Sequence, residues 1–256
     1  MTHPATSARL LRDTYRAARF ADSLPSSQVE PRPSEAASSN PLRAFFEANR
    51  SGPGIWKWTH YFDAYHRHLA KFIGQEVHIL EVGIYSGGSL RMWRDYFGDR
   101  CRVYGVDIEP ACRRYEDDHT RVFIGDQADR SFWARVRRDV PTLDIVIDDG
   151  GHQPEQQIVT LEETLSHLAP GGVFMCEDVH GSTNAFLSYV HGLTSGLYHF
   201  AAKREADGGA SSDASRLQAH IASIHHYPYL VVLERRAEQI TRLTAPKHGT
   251  EWQPFL

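Results

Sequence analysis

Five short apolar runs recur along the middle of the chain, at residues 77–82, 102–106, 121–124, 143–147 and 172–176, each closed by turn-forming residues. Apolar runs without polar alternation are what a parallel strand buried on both faces requires. Between them lie helical patterns at 89–97, 110–117, 129–139 and 153–168. Strand alternating with helix predicts an α/β fold, a parallel twisted sheet wound by right-handed crossovers with helices on both faces. Two further β-type runs, 221–227 and 229–235, meet at Pro228, too close for a helical crossover. They predict a hairpin that adds an antiparallel C-terminal strand at the sheet edge.

The 256 residues have room for one such domain plus an extension, and a hydrophobic fraction of 41% supports a packed core. Residues 23–40, rich in Ser, Pro, Glu and Ala, read as a flexible linker behind a short helix at 7–21. Residues 1–40 are therefore expected to form an N-terminal extension suited to self-association into a homodimer or higher homo-oligomer, with the domain at 41–256. Phe45, Phe46, Trp56, Trp58, Tyr61, Phe62, Tyr65, His66, Leu69 and Phe72 follow near-helical spacing. They read as a helix packed on the sheet, with Trp56 to Tyr65 also available as walls of a ligand site. Residues 205–215 (Ala, Asp, Gly, Ser) read as a disordered loop that could serve as a lid. A net charge of −4 leaves no basic footprint for nucleic acid. No apolar run approaches the roughly 20 residues of a membrane helix, and the first residues lack a secretory apolar stretch. Cys101, Cys112 and Cys176 show no metal or redox spacing, so a reducing, cytoplasmic setting is expected.

The first strand runs into Glu81-Val82-Gly83-Ile84-Tyr85-Ser86-Gly87-Gly88-Ser89, which opens a helix. Glycines let backbone approach a ligand, and the free N–H groups of the helix start suit an anionic group such as an amino-acid carboxylate. A dinucleotide fingerprint begun at Gly83 would need Gly where Tyr85 stands, which argues against NAD or FAD. The second strand ends in Asp107, placed to accept both hydroxyls of a ribose, and the third in Gly125-Asp126-Gln127, where a carboxylate could receive an adenine amine.

Strand four ends in Asp148-Asp149-Gly150-Gly151-His152 and strand five in Cys176-Glu177-Asp178-Val179-His180. In an open α/β sheet, ligands sit beyond the carboxyl ends of the strands. Four carboxylates and two histidines thus gather at one crevice, and such a cluster repels itself unless a cation neutralises it. Oxygen donors suit Mg2+, which takes a few carboxylates and keeps positions for water or substrate. The competing reading is that these acids only cap the helices that follow.

The segments Gly83-Ile84-Tyr85-Ser86-Gly87-Gly88-Ser89-Leu90-Arg91-Met92-Trp93 and Val103-Tyr104-Gly105-Val106-Asp107-Ile108 resemble the class I S-adenosylmethionine (SAM)-dependent methyltransferases. More narrowly, they resemble the metal-dependent sugar O-methyltransferases that act on macrolide deoxysugars and mycobacterial methylmannose polysaccharides. The resemblance runs from about Lys57 to Glu234. It implies a Rossmann-like class I methyltransferase fold, with SAM bound by Glu81, Gly83, Tyr85, Ser89, Asp107, Asp126 and Asp148. It places Mg2+ on Asp149, Glu177 and Asp178, with Asp149 and His152 catalytic and His152 the general base toward a sugar or glycoside hydroxyl. Where family members often carry Asp-Asp-Gly-Ser-His, Gly151 replaces the serine. A Mg2+-dependent enzyme of a catechol-like acceptor and a hydroxylase-like relative of the same fold are the alternatives.

Overall fold

The computed structural model describes residues 14–24, 40–205 and 209–251. The chain divides into two compact units, Met1–Ser38 and Ser39–Leu256. In the first, residues 14–22 form helix α1, exposed along its whole length. The remainder of the helix expected at 7–21, and the linker over 25–39, lie outside the described residues.

In the second unit, Asn40 belongs to the fold rather than to a linker. Its Oδ1 accepts from the backbone N–H groups of Leu42 and Arg43, capping helix α2 (Pro41–Ala48), and its Nδ2 donates to the carbonyl of Phe62. Helix α3 (Tyr61–Leu69) follows and buries Tyr61, Phe62, Tyr65, His68 and Leu69, a 3–4-residue repeat that lays one stripe against the sheet. The expected single aromatic helix is therefore two helices separated by an extended segment, in which Trp56 and Trp58 stand clear of the core at 86% and 48% exposure.

The wound region runs β1 (Val77–Val82), α4 (Gly88–Phe97), β2 (Cys101–Asp107), a 3-10 helix (Pro110–Tyr115), β3 (Thr120–Ile124), α5 (Arg130–Asp139), β4 (Leu143–Asp148), α6 (Pro154–Leu165) and β5 (Leu168–Cys176). The segment at 110–117 tightens to a 3-10 helix because Cys112 is the one residue of Pro110–Tyr115 it buries, too little apolar surface to hold a longer α-helix. Helix α7 (Ala185–Leu197) then crosses back. It was not legible in the sequence, since Gly192 and Gly196 weaken the pattern and only Phe186 and Val190 are buried.

Strands β6 (Ala202–Arg204) and β7 (Ala210–Asp213) pair antiparallel where a disordered loop was expected; residues 206–208 lie outside the described set. After α8 (Arg216–His220) come β8 (Ile221–Tyr227), β9 (Leu230–Arg235) and β10 (Arg242–Ala245), the last pairing with β7. The order of the main sheet is β3-β2-β1-β4-β5-β9-β8. Strands β1 to β5 are mutually parallel, β9 runs antiparallel to β5, and β8 antiparallel to β9. The expected hairpin is thus present, and both its strands join the sheet.

Side chains alternate across each strand, so the sheet divides two cores. Ile79, Val103, Ile145 and Val173 face α2, α3 and α4, while Leu80, Val106, Val146 and Phe174 face α5, α6 and α7. Registry then does the positioning. Val82 pairs with Val106 and with Asp148, Asp148 with Cys176, and Asp107 with Ile124, so all five parallel strands end on one line. The chain reverses its direction of travel across the sheet between β1 and β4, which opens the crevice there.

Candidate active site

Gly83 leaves β1 with φ +91°, and a Cβ at this position would lie 2.0 Å from the carbonyl oxygen of Asp149. Only glycine lets the β1 and β4 ends come this close. A cavity of about 700 Å³ opens beside them. Its walls include Gly83, Tyr85, Ser89, Asp107, Asp126, Asp149, His152, Glu177 and Asp178.

Asp107 builds the loop as well as facing the cavity. Its Oδ2 accepts from the N–H groups of Ile84 (2.8 Å) and Tyr85 (3.1 Å), and its Oδ1 from Glu109 (2.9 Å). Three of the roughly four acceptor sites of a carboxylate are thereby used, which leaves room for about one ligand hydroxyl rather than two. Asp126 is exposed at the rim and its Oδ1 accepts from Ala128 N–H.

Glu81 and Asp148 do not line the cavity, in contrast to the expectation that each touches a cofactor. Both point from a strand into the protein, where neighbouring elements cover them completely. Glu81 accepts from the hydroxyl of Ser89 at 2.8 Å and so anchors the first turn of α4. Asp148 Oδ1 accepts from Gln127 Nε2 and Gly150 N–H, while Gln127 Oε1 accepts from Gly151 N–H. This pair therefore shapes the 149–152 loop from behind. Burial pushes the Asp148 carboxyl up to about 6, despite the hydrogen bonds that favour its charge.

The acid cluster contains a cation that sequence reading missed. Lys57, on the extended segment before α3, has a side chain only 2% exposed. Its Nζ lies 2.6 Å from Asp149 Oδ2, 3.0 Å from both oxygens of Glu177 and 3.6 Å from Glu81 Oε1. Burial alone would lower the lysine pKa, but the fields of Asp149, Glu177 and Glu81 outweigh it and hold Lys57 firmly charged. Tyr65 donates to Glu177 Oε1 at 2.5 Å. Burial and Asp149 together push Glu177 upward, with Lys57 and Tyr65 acting the other way. The available signal was the demand itself, since acids gathered at strand ends need a counter-ion and Lys57 is the charged residue of the Trp56-Lys57-Trp58 triplet.

Glu177 thus turns toward Lys57 and Tyr65, while Asp149, His152 and Asp178 turn toward one another. One ligand atom from each of those three lies within 4.8 Å of the others. Asp178 Oδ1 accepts from Trp58 Nε1 (2.9 Å) and Tyr61 OH (3.1 Å), and its Oδ2 lies 3.7 Å from His152 Nε2. His152 Nδ1 is buried with no partner among the described residues. The carboxylates of Asp149 and Asp178 give oxygen donors that fit a hard divalent ion, with the His152 imidazole beside them. His180 Nε2 is 3.7 Å from Asp178 Oδ1, and His60 Nε2 donates to the carbonyl of Pro228, outside the triad.

Backbone strain collects here too. The non-glycine residues with positive φ among those described are Tyr85, His152, Asp178 and Tyr229. The first three line the cavity and Tyr229 packs its ring 5.4 Å from that of Trp58. Such conformations cost about 1–3 kcal/mol each and persist where the surrounding structure enforces them, as at ligand sites.

Residues 80–179 match a family model described as a methyltransferase domain. The chain is 30% identical, over 74% of its length, to the 8-demethyl-8-alpha-L-rhamnosyl tetracenomycin-C 2'-O-methyltransferase of Streptomyces olivaceus, covering 54% of that protein. It is 31% identical, over 70% of its length, to the demethylmacrocin O-methyltransferase of Streptomyces fradiae, covering 50% of it. The chain thus spans about half the length of these relatives. Among solved structures it resembles MycE methyltransferase in complex with Mg, SAH and mycinamycin VI, at 25% identity and a TM-score of 0.62, over 77% of this chain and 53% of that one. Sheet order, domain match and relatives agree: the chain has the class I methyltransferase fold, carries a methyltransferase-domain match over residues 80–179, and is similar over most of its own length to sugar O-methyltransferases.

Proposed function

We propose that this protein transfers the methyl group of SAM to a hydroxyl of a sugar or glycoside, with Mg2+ at Asp149, Glu177 and Asp178 and His152 as general base. The carrying observation is the convergence of Asp149, His152 and Asp178 in a cavity that also holds the Gly83–Ser89 loop and Asp107. On the SAM side, the N-terminus of α4 receives the carboxylate, Asp107 accepts from a ribose hydroxyl and Asp126 meets the adenine edge. Bound Mg2+ would lower the pKa of a coordinated hydroxyl and fix its oxygen. His152 then takes the proton at Nε2, where Asp178 stabilises the imidazolium. Trp58 and Tyr61 hold Asp178 in place from the opposite wall, and the exposed face of Trp56 offers a platform for the apolar side of a sugar ring. Holding donor and acceptor in line contributes several kcal/mol, up to about 7–11 kcal/mol. We further propose a homo-oligomer.

The test is SAM binding by calorimetry, followed by transfer of labelled methyl groups to a glycoside panel and to catechols, with Mg2+ or EDTA. Binding with Mg2+-dependent transfer to glycosides, lost in His152→Ala, is expected. Transfer only to catechols would move the acceptor class, transfer indifferent to EDTA would remove the metal, and absence of SAM binding would overturn the reading.

A further inference from the structure

Away from the cavity, His68 on α3, His225 on β8 and Glu234 on β9 bring one ligand atom each within 4.8 Å of one another. None of the three lines the cavity. The imidazoles of His68 and His225 lie 4.6 Å apart, ring centre to ring centre. His68 Nδ1 is 2.9 Å from Glu234 Oε1, and its Nε2 is 2.9 Å from the hydroxyl of Tyr227. His225 Nε2 is 2.9 Å from the hydroxyl of Ser223, which in turn donates to Glu234 Oε2.

We propose that His68, His225 and Glu234 form a second divalent-metal site, of the zinc type, that ties helix α3 to the β8–β9 hairpin. Two imidazoles and one carboxylate with an open fourth position are a recurrent zinc donor set. A metal here replaces the proton shared between His68 Nδ1 and Glu234 and draws in His225. The hydroxyl of Tyr227 on the far nitrogen of His68 is the kind of outer partner that orients a ligating imidazole. Lys71 Nζ, 3.8 Å from Glu234 Oε1 and half exposed, is the cation that the metal displaces toward solvent.

The site has a structural consequence for the cavity. His68 stands one turn beyond Tyr65, and Tyr61 and Tyr65 hold Asp178 and Glu177. A metal at His68 therefore fixes the helix that positions two of the acids.

The experiment is titration of the tag-free, metal-stripped full chain with Zn2+ by calorimetry, repeated on His225→Ala, Glu234→Gln, Ser223→Ala and Asp149→Asn. The proposal expects a zinc equivalent that persists in Asp149→Asn, disappears in His225→Ala and Glu234→Gln, and binds about 10–100-fold more weakly in Ser223→Ala. Cobalt(II) substitution of that equivalent should give visible absorption that His225→Ala abolishes. Zinc binding unchanged by His225→Ala and Glu234→Gln overturns it. Loss of an equivalent in Asp149→Asn alone bears on the cavity metal, so the two readings fail separately.

Discussion

Lys57 shows how much one side chain carries at this site. Its ammonium is the shared counter-ion of Asp149, Glu177 and Glu81, all three brought together at strand ends. Removing one partner of a buried ion pair leaves uncompensated charge and costs about 3–5 kcal/mol. Lys57→Met should lose stability on that order in urea unfolding at pH 7.5, and adding Glu177→Gln should recover part of the loss. Asp148 gives a pH signature. Its folded-state pKa of about 6 lies above the ordinary 3.8, so ionising it inside the fold opposes stability. That penalty is absent below about pH 4 and complete above about pH 6. Asp148→Asn removes the titration, so its stability relative to wild type should improve by about 3 kcal/mol between pH 4 and 7.5, at 1.4 kcal/mol per pKa unit. A flat difference across that range would show that Asp148 does not titrate there.

At the scale of elements, the β1 and β4 ends are held at a distance set by Gly83. Gly98, at the end of α4, also has φ +91°, but nothing lies within 4 Å of a Cβ built there. Gly98→Ala should therefore cost only backbone strain, about 1–3 kcal/mol. Gly83→Ala adds a collision with the Asp149 backbone and should lose more than that, along with SAM binding. Thermal unfolding and calorimetry on the pair separate strain from contact. Equal losses would mean that the strand ends can part without consequence. The same scale explains what sequence patterns resolve. Strands β1 to β5 were legible because burial on both faces demands unbroken apolar runs, and the 221–235 hairpin because its short connection forbids a crossover. Helix α7 and the β6–β7–β10 sheet were not, since α7 buries only Phe186 and Val190, β6 and β10 are exposed throughout, and the residues that β7 buries are two serines, Ser211 and Ser212, with no apolar signal.

At the scale of the molecule, the boundary falls between Ser38 and Ser39, and Asn40 is already part of the second unit through its bond to Phe62. A chain of residues 39–256 should unfold cooperatively with an unchanged midpoint and bind SAM as the full chain does. If residues 1–38 mediate self-association, sedimentation should report a smaller assembly for it. A lowered midpoint would mean that the first unit supports the second. No helix among the described residues is long and apolar enough to cross a membrane.

The order of strands and helices, the glycine turn after β1 and the gathering of Asp107, Asp126, Asp149, Glu177 and Asp178 at strand ends were all written in local sequence. Periodicity, turn chemistry and strand termini are properties of neighbouring residues. What faces what was decided by tertiary structure. Register and side-chain alternation turned Glu81 and Asp148 inward, and a lysine 92 residues from Asp149 became its counter-ion. His68, His225 and Glu234 met across a helix and a hairpin. Contacts between distant segments depend on how the sheet twists and which helix covers it, and one-dimensional spacing holds no record of that.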